Sequence, residues 1–184
     1  MNTARVWTAA NVVTVARIAL VPVVIGTLLV GGPWRWVALG LFCLAAATDR
    51  LDGWLARRTG TVTDLGILLD PVADKALIGG TMVVLSVLGD LPWWVTVVIL
   101  ARELAITVMR MVIKKQVVLP ASRGGKAKTV AQSGAVALFV LPLAALPAWV
   151  TVTAWVVMGI ALALTVVTGL DYLRTGRRVM ADAR

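Results

Sequence analysis

Residues 49–74 read DRLDGWLARRTGTVTDLGILLDPVAD, and this stretch decides the architecture of the protein. It holds five of the nine acidic residues of the chain. Four of the five fall within segments that are otherwise apolar: Asp49, Asp52, Asp70 and Asp74. Within a membrane, an unpaired charge costs about 3 kcal/mol or more. The stretch therefore predicts a polar site built inside an apolar protein.

The composition of the 184 residues is that of an integral membrane protein. Sixty per cent are hydrophobic, 15% are charged, and the mean hydropathy is +0.92, whereas soluble domains are about 45–50% apolar and about 25% charged. The length predicts one transmembrane catalytic domain over residues 1–184. The absence of histidine excludes the common histidine-based catalysts, and the one cysteine excludes a disulfide within the chain.

Apolar stretches of about 20 residues, the length that crosses a bilayer, occur six times between glycine- and proline-rich breaks. The fifth and sixth form one charge-free run in which Pro142 and Pro147 mark the reversal. The sequence therefore predicts an all-α protein with six transmembrane helices, near Val12–Val30, Trp34–Arg57, Gly66–Leu88, Pro92–Ile113, Thr129–Leu146 and Trp149–Leu170.

The basic residues orient these spans. They gather in the N-terminal segment, the second and fourth connections and the C-terminal tail, whereas the opposite connections carry only Arg35. The positive-inside rule then places both termini and the polar site at the cytoplasm. The first span has no small-residue cleavage site after it, so we expect a retained helix. The formal charge of +9 suits anionic lipids or a phosphorylated substrate, and we expect no nucleic-acid partner.

Helical geometry brings the acidic residues together. At 100° per residue, five positions of the second span share an arc of about 140°: Asp49, Asp52, Gly53, Ala56 and Arg57. Asp70 and Asp74 are neighbours on one face of the third span. Two divalent cations would cancel the four negative charges, and oxygen ligands select Mg²⁺ or Mn²⁺. The alternative, a set of intramembrane Asp–Arg pairs, has too few arginines on the shared face.

The acidic stretch also carries a family signature. The pattern Asp49-x2-Asp52-Gly53-x2-Ala56-Arg57-x8-Gly66-x3-Asp70-x3-Asp74 resembles that of the CDP-alcohol phosphatidyltransferases at every defined position. Further segments resemble the bacterial, and especially the actinobacterial, phosphatidylglycerophosphate synthase branch: Asn11-x2-Thr14-x2-Arg17, Asp70-Pro71-x-Ala73-Asp74-Lys75, Ala101-Arg102-Glu103 and Gly125-Lys126-x-Lys128-Thr129. The resemblance covers Asn11 to Tyr172.

The resemblance implies transfer of the phosphatidyl group from CDP-diacylglycerol to sn-glycerol 3-phosphate with release of CMP. It also implies the six-helix fold of the family, a two-metal site, a homodimer and a bacterial plasma membrane location. The metal ligands would be Asp49, Asp52, Asp70 and Asp74, with Asp74 also the base for the acceptor hydroxyl. CDP-diacylglycerol would be bound by Asn11, Thr14, Gly53, Ala56, Arg57, Thr63 and Gly66.

The acceptor phosphate requires basic side chains, because arginine and lysine bind phosphate through charge-assisted hydrogen bonds. The candidates are Arg17, one turn inside the first span, and Arg102, Arg110, Arg123, Lys126 and Lys128. Glu103 shares a face with Arg110 and could orient it instead. Any one of these arginines could also serve only to reach the lipid headgroups.

Three alternatives to this function stay open on the sequence. Two belong to the same family: a cardiolipin synthase that uses phosphatidylglycerol as acceptor, and an inositol-phosphate-type synthase. The third is a divalent-cation transporter, which would need a polar path to the far side. The outer halves of the predicted spans lack charge, which disfavours the transporter.

Overall fold

The computed structural model describes the backbone of residues 8–59, 64–113 and 123–182, and the side chains of residues 8, 11–48, 69, 71–109 and 127–172. Every regular element in these ranges is helical. The α-helices are α1 (Ala9–Val30), α2 (Trp34–Thr59), α3 (Asp64–Val87), α4 (Trp93–Ile113), α5 (Arg123–Val140) and α6 (Ala148–Asp182), and a 3₁₀ turn, Leu143–Ala145, lies between α5 and α6.

The six helices correspond to the six predicted spans, and within the side chains that the structure describes, two of them are long and apolar enough to cross a membrane. These are Asn11–Val30 in α1 and Ala148–Tyr172 in α6, with shorter apolar segments at Trp34–Thr48 and Ala127–Val140. The all-helical prediction is therefore confirmed, and the count of six membrane crossings stays a prediction.

Several helix ends differ from the predicted ones. Helix α1 begins before Val12 because the side chain of Thr8 caps it, accepting a hydrogen bond from the Asn11 amide at 3.3 Å. Helix α5 ends at Val140 rather than Leu146, since the residue before Pro142 is disfavoured in the helical conformation. Helix α6 continues twelve residues beyond the predicted Leu170, to Asp182.

The helices pack around one apolar core. Helix α1 lies against α2 and α3, α5 lies against α6, and α4 contacts both α3 and α6. Fully buried core side chains come from most of the helices, among them Leu28, Phe42, Met82, Phe139 and Met158. Burying a side chain of this size stabilises the fold by about 1.5–3 kcal/mol, so this core holds the helices in fixed register around the polar residues.

One end of the bundle carries a belt of exposed tryptophans, and we call it the tryptophan end: Trp34, Trp36, Trp93, Trp94 and Trp149. Tight connections close this end, with Gly31, Gly32 and Gly89 at positive φ, a conformation that favours glycine. The side chain of Arg35, in the first turn of α2, forms an ion pair with Asp90 in the connection between α3 and α4. Tryptophan prefers either membrane–water interface, so the belt suits a position at one of them, and the orientation of the termini stays a prediction.

Candidate functional site

The acidic stretch spans the ends of α2 and α3 that residues 60–63 connect. Asp49 lies ten residues before the last residue of α2, and Asp74 lies ten residues after the first residue of α3. At 1.5 Å per residue, both are about 15 Å from these ends. The two helices contact each other, so the backbone brings the predicted carboxylates to one level of the bundle.

Only part of the predicted metal and nucleotide site falls on described side chains. Asp74 is described, whereas the side chains of Asp49, Asp52 and Asp70 are not. Thr63 lies outside the described residues, and so do the side chains of Gly53, Ala56, Arg57 and Gly66. No cluster of three or more potential metal ligands occurs among the side chains that the structure does describe. The metal-ligand set therefore stays a prediction.

Asp74 lies on the wall of two cavities. One has a volume of about 310 Å³ and lies among α1, α2, α3 and α5. The other has a volume of about 270 Å³ and lies among α3, α4 and α5. Ile78 and Thr129 also line both cavities. Asp74 is thus placed where the contents of the two cavities can meet.

The first cavity is mainly apolar, and we call it the apolar cavity. Phe42, Leu77 and Val130 line it together with three consecutive alanines, residues 45–47. Besides Asp74, the charged residue on its wall is Arg17, whose side chain is fully buried with 1% exposure. An apolar cavity with one cation and one carboxylate at its wall suits a molecule that has both acyl chains and a phosphate.

The second cavity carries charged and polar side chains from three helices on a wall that is otherwise mostly apolar, and we call it the polar cavity after these side chains. Asp74 and Lys75 come from α3, and Glu103 comes from α4. Lys128 and Gln132 come from α5, one helical turn apart, and both are buried, with 6% and 3% exposure. Two lysines and a buried amide around such a volume suit a small, phosphorylated, hydroxylated molecule.

Hydrogen bonds fix the lysines of the polar cavity. Glu103 Oε1 accepts from Lys128 Nζ and also from Arg102 Nη1, the latter at 2.9 Å. Lys75 Nζ donates to the hydroxyl of Thr107, which in turn donates to the backbone oxygen of Glu103 at 2.7 Å. Glu103 therefore organises both cations of this cavity, one through its side chain and the other through its backbone.

Arg102 joins α4 to α6. Its Nε donates to the backbone oxygen of Thr165 at 3.1 Å, and its Nη2 donates to the hydroxyl of Thr168 at 2.7 Å. Gly169 leaves room for the side chain, since a Cβ at this position would lie 3.3 Å from Arg102 Cγ. We call this arrangement the Arg102 clamp: Arg102 with Thr165, Thr168 and Gly169. Through Glu103, the clamp fixes the position of Lys128.

The structure separates the residues predicted to bind the acceptor phosphate. Lys128 lines the polar cavity, whereas Arg17 lines the apolar one. Arg17 also lies eight residues, about 12 Å, into α1 rather than one turn, because α1 begins earlier than predicted. Arg102 lines neither cavity and bonds to α6 instead. The side chains of Arg110, Arg123 and Lys126 lie outside the described residues.

Three further outcomes concern the predicted contacts. Asn11 and Thr14, predicted to lie near the nucleotide, are buried on the same side of α1 as Arg17. The described partners of the Glu103 carboxylate are Arg102 and Lys128, while the predicted Glu103–Arg110 contact falls outside the described side chains. Sequence reasoning missed the cavity residues Lys75 and Gln132. Gln132 follows Lys128 by four residues, and this helical spacing could have indicated it.

Comparison with known proteins agrees with the motif. The family model described as CDP-alcohol phosphatidyltransferase matches residues 7–167. A probable phosphatidylglycerophosphate synthase of Mycobacterium tuberculosis is 48% identical over 98% of this chain and 87% of its own length. The CDP-diacylglycerol–glycerol-3-phosphate 3-phosphatidyltransferase of Bacillus subtilis is 35% identical over 81% of this chain and 90% of its own length. A cardiolipin synthase (CMP-forming) of Streptomyces coelicolor is 41% identical over a shorter region, 62% of this chain and 55% of its own length.

The chain belongs to the CDP-alcohol phosphatidyltransferase family. The resemblance predicted from residues 49–74 is thereby confirmed, and with it the place of the chain near the phosphatidylglycerophosphate synthases. Enzymes of this family generally depend on divalent metal ions. The donor chemistry fits such ions, since Asp74 is a carboxylate at the meeting point of the two cavities and hard divalent cations prefer oxygen ligands.

Proposed function

We propose that the protein transfers the phosphatidyl group from CDP-diacylglycerol to sn-glycerol 3-phosphate, giving phosphatidylglycerophosphate and CMP. The observation that carries the proposal is the position of Asp74 on the wall of both cavities. The similarity to relatives named for this activity over most of the chain supports it.

The two cavities divide the substrates by their chemistry. The apolar cavity takes the lipid side of CDP-diacylglycerol, with the Arg17 guanidinium near its phosphate. The polar cavity takes glycerol 3-phosphate, whose phosphate pairs with Lys128 and Lys75. The nucleotide extends toward Asn11, Thr14 and the end of α2, where the signature glycine and arginine lie.

The reaction is one displacement at phosphorus. An acceptor hydroxyl oxygen attacks the phosphatidyl phosphorus, and the bond from that phosphorus to the CMP oxygen breaks. The hydroxyl proton passes to the carboxylate of Asp74, which acts as general base. Direct attack is favoured because no serine or cysteine stands among the signature residues.

Metal ions complete the site. Asp49, Asp52, Asp70 and Asp74 would hold two Mg²⁺ or Mn²⁺ ions, which would neutralise the diphosphate and stabilise the departing CMP. Asp70 and Asp74 lie one turn apart on α3, and the other two aspartates belong to α2, which contacts α3.

The membrane arrangement follows from the same proposal. All six helices cross a bacterial plasma membrane, with the tryptophan end outside and both termini and the polar cavity at the cytoplasm. Glycerol 3-phosphate, which is water-soluble, then enters from the cytosol, while CDP-diacylglycerol enters from the bilayer. A homodimer is part of the proposal on the strength of the family resemblance.

Acceptor competition tests the proposed function. The purified protein in detergent receives radiolabelled CDP-diacylglycerol with Mg²⁺ or Mn²⁺ and one acceptor: glycerol 3-phosphate, glycerol, inositol 1-phosphate or phosphatidylglycerol. We expect CMP release with glycerol 3-phosphate and none after metal removal by chelator. Full activity in metal-free protein would contradict the metal site.

Cardiolipin synthase is the second candidate, because a relative of that name is 41% identical to this chain. The two lysines on the wall of the polar cavity favour glycerol 3-phosphate instead, because they can pair with its free phosphate. Faster consumption of phosphatidylglycerol than of glycerol 3-phosphate in the same assay would establish the second candidate instead.

A further inference from the structure

Gln132 is a buried polar residue that the proposed reaction does not yet use. Its side chain is only 3% exposed, and it lines the polar cavity from α5. No hydrogen bond joins its amide to another residue that the structure describes, and the amide atoms are not among the fully enclosed ones that lack a partner, so the amide faces the open space of the cavity. An amide that faces a cavity can form its hydrogen bonds with water or with a bound molecule, and a bound molecule that leaves it without a bond loses about 1–3 kcal/mol.

The neighbours of Gln132 identify the chemistry of the molecule that would supply them. Lys128 precedes it by four residues on the same face of α5, so the two side chains begin about 6 Å apart along the helix axis. Asp74 faces the same cavity from α3. A ligand that reaches all three would present an anion to Lys128, a reacting hydroxyl to Asp74 and a neutral hydroxyl to Gln132.

We infer that Gln132 selects the acceptor by binding its non-reacting hydroxyl. The inference rests on the proposed function and deepens it. Glycerol 3-phosphate has one terminal hydroxyl, a phosphate at the other end, and a hydroxyl on the carbon between them. The amide of Gln132 can both donate to and accept from that middle hydroxyl. Asp74 then receives only the terminal hydroxyl, and one of the two possible nucleophiles is held away from phosphorus.

The consequence is a preference that an acceptor analogue can measure. 3-Hydroxypropyl phosphate keeps the phosphate and the terminal hydroxyl of glycerol 3-phosphate but lacks the middle hydroxyl. A site built to hydrogen-bond a hydroxyl discriminates strongly against an analogue without it, because the buried polar group of the site loses its partner. We therefore expect the wild-type kcat/KM to favour glycerol 3-phosphate by about tenfold or more.

The test compares the wild type with Gln132→Met, which keeps the length of the side chain and removes the amide. Both enzymes are assayed for CMP release with the two phosphates, in detergent with Mg²⁺. We expect the variant to lose about tenfold in kcat/KM for glycerol 3-phosphate and to use 3-hydroxypropyl phosphate as well as the wild type does. The retained activity on the analogue also shows that the variant is folded.

Two results would overturn the inference alone: equal use of both phosphates by the wild type, or an equal loss on both in the variant. The first needs no variant and is decisive even if Gln132→Met fails to fold. A third result would overturn the proposed function together with the inference. In that case the enzyme would release CMP with phosphatidylglycerol as acceptor but not with glycerol 3-phosphate or 3-hydroxypropyl phosphate.

Discussion

Polar residues serve different purposes in the two halves of the bundle. At the tryptophan end they bond to one another: Arg35 pairs with Asp90, and the hydroxyls of Ser86 and Thr96 lie 2.7 Å apart. In the half that holds Asp74, polar side chains also join helices, as Lys128 and Glu103 do, but several of them line cavities as well. The first arrangement uses polarity to join helices, whereas the second keeps space beside charged groups for another molecule.

The comparison teaches where function lies in an apolar fold. A charge within a membrane is expensive unless it has a partner, and at the tryptophan end the partners shown are other side chains. Around the polar cavity, Glu103 offsets part of the free-energy cost of burying the charges of Lys128 and Lys75. A phosphorylated substrate would offset more of it. Equivalent substitutions in the two halves should therefore have different effects.

The largest effect is expected for Asp74→Asn, which keeps the shape of the side chain and removes its charge. Loss of a general base costs about 10²–10⁴-fold in rate, and lost metal ligation would add to this. We expect kcat to fall by at least 10²-fold while CDP-diacylglycerol binding is largely retained. Steady-state CMP release and a direct lipid-binding measurement check both expectations.

The matched control is Asp90→Asn, the same substitution at the tryptophan end. This variant should keep the wild-type kcat and KM. If Asp74→Asn retained more than about a tenth of the wild-type kcat, Asp74 would not be the base, and the proposed difference between the two halves would lose its main support.

An intermediate effect is expected for Thr168→Val, which removes one hydrogen bond of the Arg102 clamp. Hydrogen bonds to charged groups contribute about 1.5–3 kcal/mol, and only part of this reaches Lys128 through Glu103. We expect the KM for glycerol 3-phosphate to rise about tenfold with little change in the KM for CDP-diacylglycerol. Kinetics with each substrate varied in turn provide the measurement.

Helix α6 also provides the control for this prediction. Thr153 bonds only within its own helix, to the backbone oxygen of Trp149 at 2.8 Å, so Thr153→Val should leave both KM values unchanged. Thr168→Ser keeps the hydroxyl and should restore the wild-type KM. Equal increases in both KM values in Thr168→Val would instead indicate a general packing defect.

The smallest effect is expected for Arg35→Gln, which breaks the ion pair at the tryptophan end. Partly exposed ion pairs contribute about 0.2–1 kcal/mol. The variant should therefore show a slightly lower Tm in detergent and an unchanged kcat with glycerol 3-phosphate. A large loss of activity without a loss of stability would show that the tryptophan end takes part in the reaction.

The sequence predicted those features that depend on neighbouring residues. The six helices, the reversal at Pro142 and Pro147 and the place of Asp74 at a polar cavity follow from hydropathy, proline chemistry and helical spacing. The family followed from the signature in residues 49–74. Each of these inferences needs only residues that are close in sequence or lie on the same helix face.

The parts that the sequence could not predict depend on packing between distant residues. Arg102 and Thr168 are 66 residues apart, so nothing in the local pattern indicates that Arg102 bonds to α6 rather than to a substrate. The separation of Arg17 from Lys128 into two cavities depends on how α1 and α4 pack on either side of α3. The number of residues between Arg17 and the start of α1 depends on the Thr8 cap, and hydropathy does not indicate a capping residue.

The unbroken length of α6 gives the bilayer itself a part in substrate affinity. Its apolar part, Ala148–Tyr172, has 25 residues and spans about 38 Å, which exceeds a hydrocarbon core of about 30 Å. Helices that exceed the hydrocarbon thickness respond to it by tilting. Because Thr165 and Thr168 lie on this one rod, a change in tilt moves both partners of Arg102 together. In the proposed membrane arrangement, a change in lipid thickness would therefore shift Arg102 and, through Glu103, the lysine proposed to bind the acceptor phosphate.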